Sequence, residues 1–380
     1  MASSTSADNH QSDLTSLLEI TKKPLVSIPE QYIRTDHLPA EPVVTTFSTT
    51  NQTIPTIDMA SLSLQSETSS DHHHHQLIQN LHSACKHWGF FQLVNHGVSR
   101  SVIEEVSHEI EGFFKLPLEE KLQYKVTPDD FEGYGSVVRS DDHKLDWGDR
   151  VFMITNPISR RKPHLLPELP SSLKNSLERY IDELKKLGMT LFGLLAKALN
   201  VEKKMLVEEL FEDGMQSMRM TCYPACPEPE KVIGFSPHSD AAGITILHQL
   251  TSGVNGLQVK KDGAWIPVNF LPNAFVVNIG DVIEIVSNGV YKSIEHRVMA
   301  NSSKERISVA MFFNAKYESE IGPLPCLVNS ENNDDDDDNP PLFRRVGMED
   351  YINHFFSRRK YDGKSFLDLM RIKHTNNTNA

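Results

Sequence analysis

The sequence predicts a mixed α and β protein in which a double-stranded β-helix, or jelly roll, is buttressed by N-terminal and flanking helices. Three observations carry this. From about Gln216 onward, short apolar runs alternate with Gly, Pro and Asn punctuation at the spacing of short strands. Upstream, apolar residues recur at helical spacing, most clearly where Leu173, Leu177, Tyr180, Ile181, Leu184, Leu187 and Leu191 form one stripe. There is no internal repeat and no long linker, and 380 residues lie within reach of one large β-rich domain.

Taken in order, residues 1–50 are polar, Ser/Thr-rich and broken by Pro. They read as a partly ordered arm with a short helical stretch over 14–20. A first strand is expected over 54–58, then a polar loop carrying His72 to His75. Leu77, Ile78, Leu81, Ala84, Cys85 and Trp88 mark a helix that Gly89 ends. A buried strand over 90–94, a helix over 102–114 stopping before Pro117, and a loop around Gly133 and Gly135 follow. A strand over 147–155 and the long helix over 172–199 complete the N-terminal half. Beyond it, the runs 244–247, 256–259, 265–268, 275–279, 282–286, 295–299 and 306–313 read as strands. The expected division is an arm (1–50), a helix-rich region (51–210), the jelly-roll core (211–320) and a C-terminal segment (321–380). That last segment holds an acidic loop, Asp334 to Asp338, and closing helices.

Composition excludes several function classes. A net charge of -13 opposes general nucleic-acid binding, which needs basic surface to neutralise phosphates. Cys85, Cys222, Cys226 and Cys326 form no CxxC pair and no disulfide framework, so a reducing compartment is expected. Cys222 and Cys226 could begin a zinc site, but no second pair follows at finger spacing. The start, MASSTSADNHQSD, has neither a basic nor an apolar signal region, and no apolar stretch approaches a membrane span. A cytoplasmic protein acting on small molecules, with no membrane or nucleic-acid partner, is the expectation.

The chemistry lies in Ser236-Pro237-His238-Ser239-Asp240. Residues two apart on an extended chain share a side, so His238 and Asp240 can present imidazole and carboxylate together. Downstream, His296 sits in another strand-like run. Two imidazoles and one carboxylate on one face suit Fe(II) and leave positions open for substrate and O2. The same set could serve a zinc or other divalent-metal hydrolase on a cupin-like barrel. Further on stands Arg306-Ile307-Ser308, whose outer residues share a strand face. A guanidinium grips a carboxylate by two parallel hydrogen bonds, and the serine hydroxyl adds a third. That pattern suits the distal carboxylate of a dicarboxylic acid.

These residues resemble the plant-type 2-oxoglutarate/Fe(II) dioxygenases, in the branch of flavonoid dioxygenases and morphinan O-demethylases. The likeness extends to WGFFQLVNHGV from Trp88, LPLEEK from Leu116, GDVIEIVSNGVYKSIEHRV from Gly280 and the late DGKSFLDLMRI, covering roughly 50–372. It implies that His238, Asp240 and His296 ligate iron. It further implies that Arg306, Ser308 and Tyr223 bind the far carboxylate of 2-oxoglutarate, with O2 as second co-substrate and ascorbate in support. Substrate would be hydroxylated, O-demethylated or desaturated, with release of succinate and CO2. Arg150, Phe152, Arg219, Phe312 and Asn314 align with the family's substrate walls, and a monomer acting on a specialised metabolite or hormone-like molecule is implied. One departure stands out: the family commonly has Asn-Tyr-Tyr-Pro where this chain has Thr221-Cys222-Tyr223-Pro224. A non-catalytic sensor that keeps the fold is the remaining alternative.

Overall fold

The structure, a computed structural model, describes residues 16–34, 53–62, 70–127, 130–135, 144–328, 339–357 and 367–372. The N-terminal part runs α1 (Leu17–Thr21), β1 (Thr56–Asp58), α2 (Ser70–His87), β2 (Phe90–Val94), α3 (Arg100–Lys115) and α4 (Leu118–Lys121). It continues with β3 (Gly133–Tyr134), β4 (Asp149–Asn156) and α5 (Ser171–Leu199). A π-helical segment, Lys204–Phe211, leads into β5 (Gln216–Tyr223), β6 (Phe235–His238), β7 (Ile244–Gln249), β8 (Leu257–Lys261), β9 (Ala264–Pro267) and β10 (Phe275–Ile279). Then come α6 (Asp281–Val286), β11 (His296–Val298), β12 (Arg306–Phe313), β13 (Glu320–Ile321), β14 (Val346–Gly347), α7 (Met348–Ser357) and α8 (Leu367–Met370).

Two sheets face each other. The larger has the order β1-β2-β10-β7-β12-β5-β4-β3, and the smaller β6-β11-β8-β9. The period of two along each strand divides the larger sheet into two faces. Ile307, Val309, Met311 and Phe313 of β12, with Met218 and Met220 of β5 and Val151 and Met153 of β4, enter the main apolar core with the α5 stripe. The helix lies close: a Cβ at Gly188 would stand 2.6 Å from the Phe313 ring. The alternate residues Arg306, Ser308, Ala310 and Phe312 face the smaller sheet. Burial of the α5 stripe is what holds a long helix against the sheet.

The N-terminal arm is tied in by polar contacts. The buried Asp149 carboxylate accepts the Leu17 N–H at 2.9 Å, the Leu18 N–H at 3.2 Å and the Tyr134 hydroxyl at 2.7 Å, and the Ser16 hydroxyl also donates to it. A carboxylate at free helix N–H groups is favourable by charge as well as hydrogen bonding.

The structure corrects four expectations. The run 282–286 is α6, a fully buried helix, and no strand. A short continuous apolar run carries no alternation, so buried helix and buried strand read alike. Gly280, just before it, permits the close approach: a Cβ there would meet the Ala242 carbonyl oxygen at 2.1 Å. Second, His72 to His75 belong to α2, which starts at Ser70. Exposed first turns carry no apolar signal, and His73 and His75 are exposed. Third, β5 was absent from the expected strands, because its run QSMRMTCY has a single β-branched residue, Thr221, despite being largely buried. Fourth, the strand expected from Trp147 begins at Asp149. The acidic run Asp334 to Asp338 lies outside the described residues.

Candidate active site

The smaller sheet supplies the two imidazoles. β6 and β11 pair antiparallel with His296 opposite His238, and the register shifts between His296 and Val298. The extra residue lies on β6, where Pro237 brings no N–H to the ladder, the position a proline tolerates best. His238 Nδ1 faces the Ser236 carbonyl at 2.8 Å and His296 Nδ1 faces the Ile294 carbonyl at 3.1 Å. A carbonyl only accepts, so both Nδ1 atoms carry a proton and Nε2 is the atom each ring turns towards Asp240. Nε2 of His238 and of His296 lie 3.5 and 3.7 Å from Asp240 Oδ1. One ligand atom from each of the three falls within 4.8 Å of the others.

The larger sheet orients the carboxylate. Asp240 Oδ2 accepts from Thr245 Oγ1 at 2.6 Å and from Asn278 Nδ2 at 2.8 Å, leaving Oδ1 turned towards the imidazoles. Burial alone raises the Asp240 carboxyl, but His296, His238 and the Thr245 hydroxyl together hold it well below the usual carboxylate range. Imidazoles whose Nδ1–H is fixed by carbonyls, beside a hydrogen-bonded carboxylate, form a supported metal-binding face.

Across the cavity, β12 pairs with β5 so that Arg306 is opposite Tyr223 and Ser308 opposite Thr221. Arg306 is 2 % exposed. Its Nε donates to Gln249 Oε1 at 2.7 Å, and Nη1 to Ser308 Oγ at 3.1 Å. Nη2 is buried with no hydrogen-bond partner. The guanidinium lies 5.3 Å from the centre of the Tyr223 ring. Burial pulls its pKa down, with Tyr223 opposing. A buried cation with an unused donor fits an anionic ligand, since orphaned buried donors are costly. The residues present therefore fit both Fe(II) and a dicarboxylate.

The substrate-wall candidates divide. Arg219 and Phe312 line the cavity that holds the triad and Arg306. Arg219 Nε donates to Thr221 Oγ1 at 3.1 Å, and its guanidinium stacks 3.8 Å over the Phe235 ring. Phe152 stands behind Phe312, ring centroids 6.2 Å apart. Arg150 is drawn away from the cavity: both Nη atoms donate to the Phe131 carbonyl at 3.1 Å. Asn314 follows the end of β12 and lies outside the cavity lining. Sequence reasoning missed Thr245, Asn278, Gln249 and Phe235. A polar residue within each run, Thr245 in ITILHQ and Asn278 in FVVNI, was the available signal.

A jelly roll that brings two histidines, one carboxylate and a buried arginine to one cavity fits a non-haem iron oxygenase. The chain belongs to the 2OG-Fe(II) oxygenase superfamily, whose pattern matches residues 214–315. The N-terminal pattern of the non-haem dioxygenase in morphine synthesis matches residues 54–170. Codeine O-demethylase of Papaver somniferum is 44% identical over 94% of this chain and 96% of its own length. Oxoglutarate-dependent flavonoid 7-O-demethylase 1 of Ocimum basilicum is 44% identical over 93% and 90%. Among solved structures, JOX2 in complex with 2OG, Fe and JA superposes with a TM-score of 0.80 at 33% identity, covering 94% of this chain and 98% of that one. The protein is thus a 2-oxoglutarate-dependent oxidoreductase that uses Fe(II), and the hydrolase reading falls away. Among the described residues no helix is long and apolar enough to cross a membrane.

Proposed function

We propose that this oxygenase hydroxylates or O-demethylates a small specialised metabolite, with His238, Asp240 and His296 holding Fe(II). Arg306, Ser308 and Tyr223 hold the far carboxylate of 2-oxoglutarate. The observation that carries the assignment is the buried, partnerless Arg306 Nη2 in the same cavity as the triad. Iron, when bound, couples oxidation of a substrate C–H to the conversion of 2-oxoglutarate and O2 into succinate and CO2. The protein's part is to fix that bond near the metal face and to keep the cavity dry. Phe90 packs edge-on to His296 at 5.2 Å and Phe235 tilts against His238 at 4.0 Å, so aromatic walls shield the metal face.

Arg219 and Phe312 suit a substrate with a flat apolar body and an anionic or oxygen-rich end. The named demethylases among the relatives support a plant-type specialised metabolite carrying an O-methyl group. Thiols at Cys85, Cys222, Cys226 and Cys326 suit a reducing compartment, and a net charge of -13 opposes nucleic-acid partners. The test is anaerobic titration with Fe(II) and 2-oxoglutarate, then oxygen and a panel of methoxylated and acidic small molecules, assayed for succinate and formaldehyde. Substrate-dependent succinate that disappears in Arg306→Ala supports the assignment. Ligand binding without succinate would instead identify a sensor.

A further inference from the structure

We propose that each metal-facing imidazole is set by a relay of a carboxylate and a serine, anchored outside the two sheets by an arginine. Asp146 is the positioning residue for His238, and Glu284 is the positioning residue for His296. The inference rests on the reading that these histidines hold iron.

The first relay starts at the Ser236 carbonyl, which fixes His238 Nδ1. That carbonyl belongs to the bond preceding Pro237, which restricts Ser236 to an extended backbone. Asp146 Oδ1 then grips the same residue twice, accepting its N–H at 3.2 Å and its hydroxyl at 2.6 Å. Two contacts on one serine remove its freedom to rotate, and with it the freedom of the carbonyl that aims the imidazole. Asp146 is itself braced on both sides. The Leu145 N–H donates to the Gln31 carbonyl at 2.7 Å and the Trp147 N–H to the Ile233 carbonyl at 2.7 Å. Trp147 Nε1 adds a bond to the Pro224 carbonyl at 2.9 Å. Arg34, 6 % exposed, brings its guanidinium to 3.8 Å from Asp146 Oδ1 and its own N–H to the Lys231 carbonyl at 2.8 Å.

The second relay has the same logic on other elements. His296 Nδ1 donates to the Ile294 carbonyl, and the preceding Ser293 is held at both its donors. Its N–H meets Glu284 Oε2 at 2.6 Å and its hydroxyl meets Asp281 Oδ1 at 2.6 Å. Arg371 Nη2 closes on Glu284 Oε1 at 2.7 Å, and Tyr351 donates to Asp281 at 3.2 Å. The Asp281 N–H also holds the Asp240 carbonyl at 2.8 Å, so this relay touches the third ligand's backbone. Residues of the N-terminal arm and of the C-terminal segment thus each brace one imidazole of the same centre. Groups that orient metal ligands alter metal affinity by about 10- to 100-fold when removed.

The test is anaerobic titration of the full-length apoprotein with Co(II), followed by visible absorption, with thermal unfolding measured in parallel. Asp146→Ala and Glu284→Ala are expected to raise the Co(II) Kd by roughly 10- to 100-fold and to change the band shape. Asp146→Asn keeps an acceptor for Ser236 and is expected to restore most of the affinity. Ser236→Ala removes one of the two contacts with little change in volume and is expected to shift the Kd by a smaller factor, which covers the case of an Asp146 variant that does not fold. Asp149→Asn, which loosens the N-terminal helix without touching Ser236, is expected to lower the melting temperature and leave the Co(II) spectrum unchanged. Asp146→Ala or Ser236→Ala proteins that melt earlier yet bind Co(II) with wild-type affinity and spectrum overturn the relay while leaving the metal assignment intact. If His238→Ala binds Co(II) like wild type, the assignment of the centre itself fails, and the relay with it.

Discussion

His238 and His296 stand directly opposite each other on β6 and β11, ring centroids 4.2 Å apart. Residues directly opposite in an antiparallel pair point to the same side, so this register puts both imidazoles on the cavity side. Losing either leaves two ligands and an open side on the metal. Since removal of a mere orienting partner costs about 10- to 100-fold in affinity, loss of an imidazole is expected to exceed roughly 100-fold. His296→Ala should therefore emerge from desalting without iron and form no succinate above background. Retention of one iron per chain in that variant would contradict the assignment.

The elements that were legible from sequence are those whose burial has a period. The α5 stripe and the strand Arg306–Phe313 were placed within a residue of their observed ends because helical or alternate spacing marks which side meets the core. α6 defeated the same reasoning, since all six of its residues are buried and no exposed position remains to report a period. Within the site, His238, Asp240 and Arg306 stood out because unusual chemistry recurred at strand spacing. Thr245, Asn278 and Gln249 did not, because their role exists only when β7, β10 and β12 lie side by side. Arg150 was named from likeness to the family's substrate walls, and that likeness carries no sign of the Phe131 carbonyl, on a separate segment, that both its Nη atoms reach.

Arg306→Lys is expected to separate co-substrate binding from chemistry. A lysine keeps the charge but cannot hold Gln249 and Ser308 while also offering two donors to a carboxylate. Losing one charge-assisted hydrogen bond costs about 1.5–3 kcal/mol, so the KM for 2-oxoglutarate should rise roughly 10- to 100-fold with kcat little changed. Steady-state succinate kinetics at saturating substrate would measure it. A fall in kcat at unchanged KM would place Arg306 in a different role.

His248 gives a pH prediction. It lies between the rings of Tyr180 and Phe275, centroids 6.4 and 5.5 Å away, and its Nδ1 is buried without a hydrogen-bond partner. Burial, aided by the charge of His96, lowers its pKa to about 4. The unfolded chain then takes up the proton first, so this residue's stabilisation is complete above an unfolded pKa near 6.5. It declines as pH falls from there towards 4, by about 3 kcal/mol in total. Urea unfolding across this window should show a shallower pH slope in His248→Leu than in wild type. Equal slopes would mean that other groups govern the acid limb.

Arg219 and Phe312 are expected to act on the substrate while leaving the co-substrate alone, and the geometry says why the two effects separate. Phe312 is four residues beyond Ser308 on the same strand face, with Ala310 between them, and Arg219 sits opposite that Ala310 in the β5–β12 pairing. Both therefore line the cavity away from the Arg306 end. Arg219 is fixed by the Thr221 hydroxyl and by stacking on Phe235, which itself packs on His238. A substrate anion held by Arg219 would thus be placed relative to a metal-facing imidazole through a single ring. For an acidic substrate, Arg219→Gln should raise its KM by about 10- to 100-fold, the value of a charge-assisted hydrogen bond. Phe312→Ala should weaken binding of a flat substrate by about 1–3 kcal/mol of lost contact and let water reach the metal face. The signature of that second variant is uncoupling, in which 2-oxoglutarate is consumed faster than product appears. Measuring succinate and oxidised product in the same reaction separates the two, and a 2-oxoglutarate KM that moves with either variant would show that the cavity is not divided in this way.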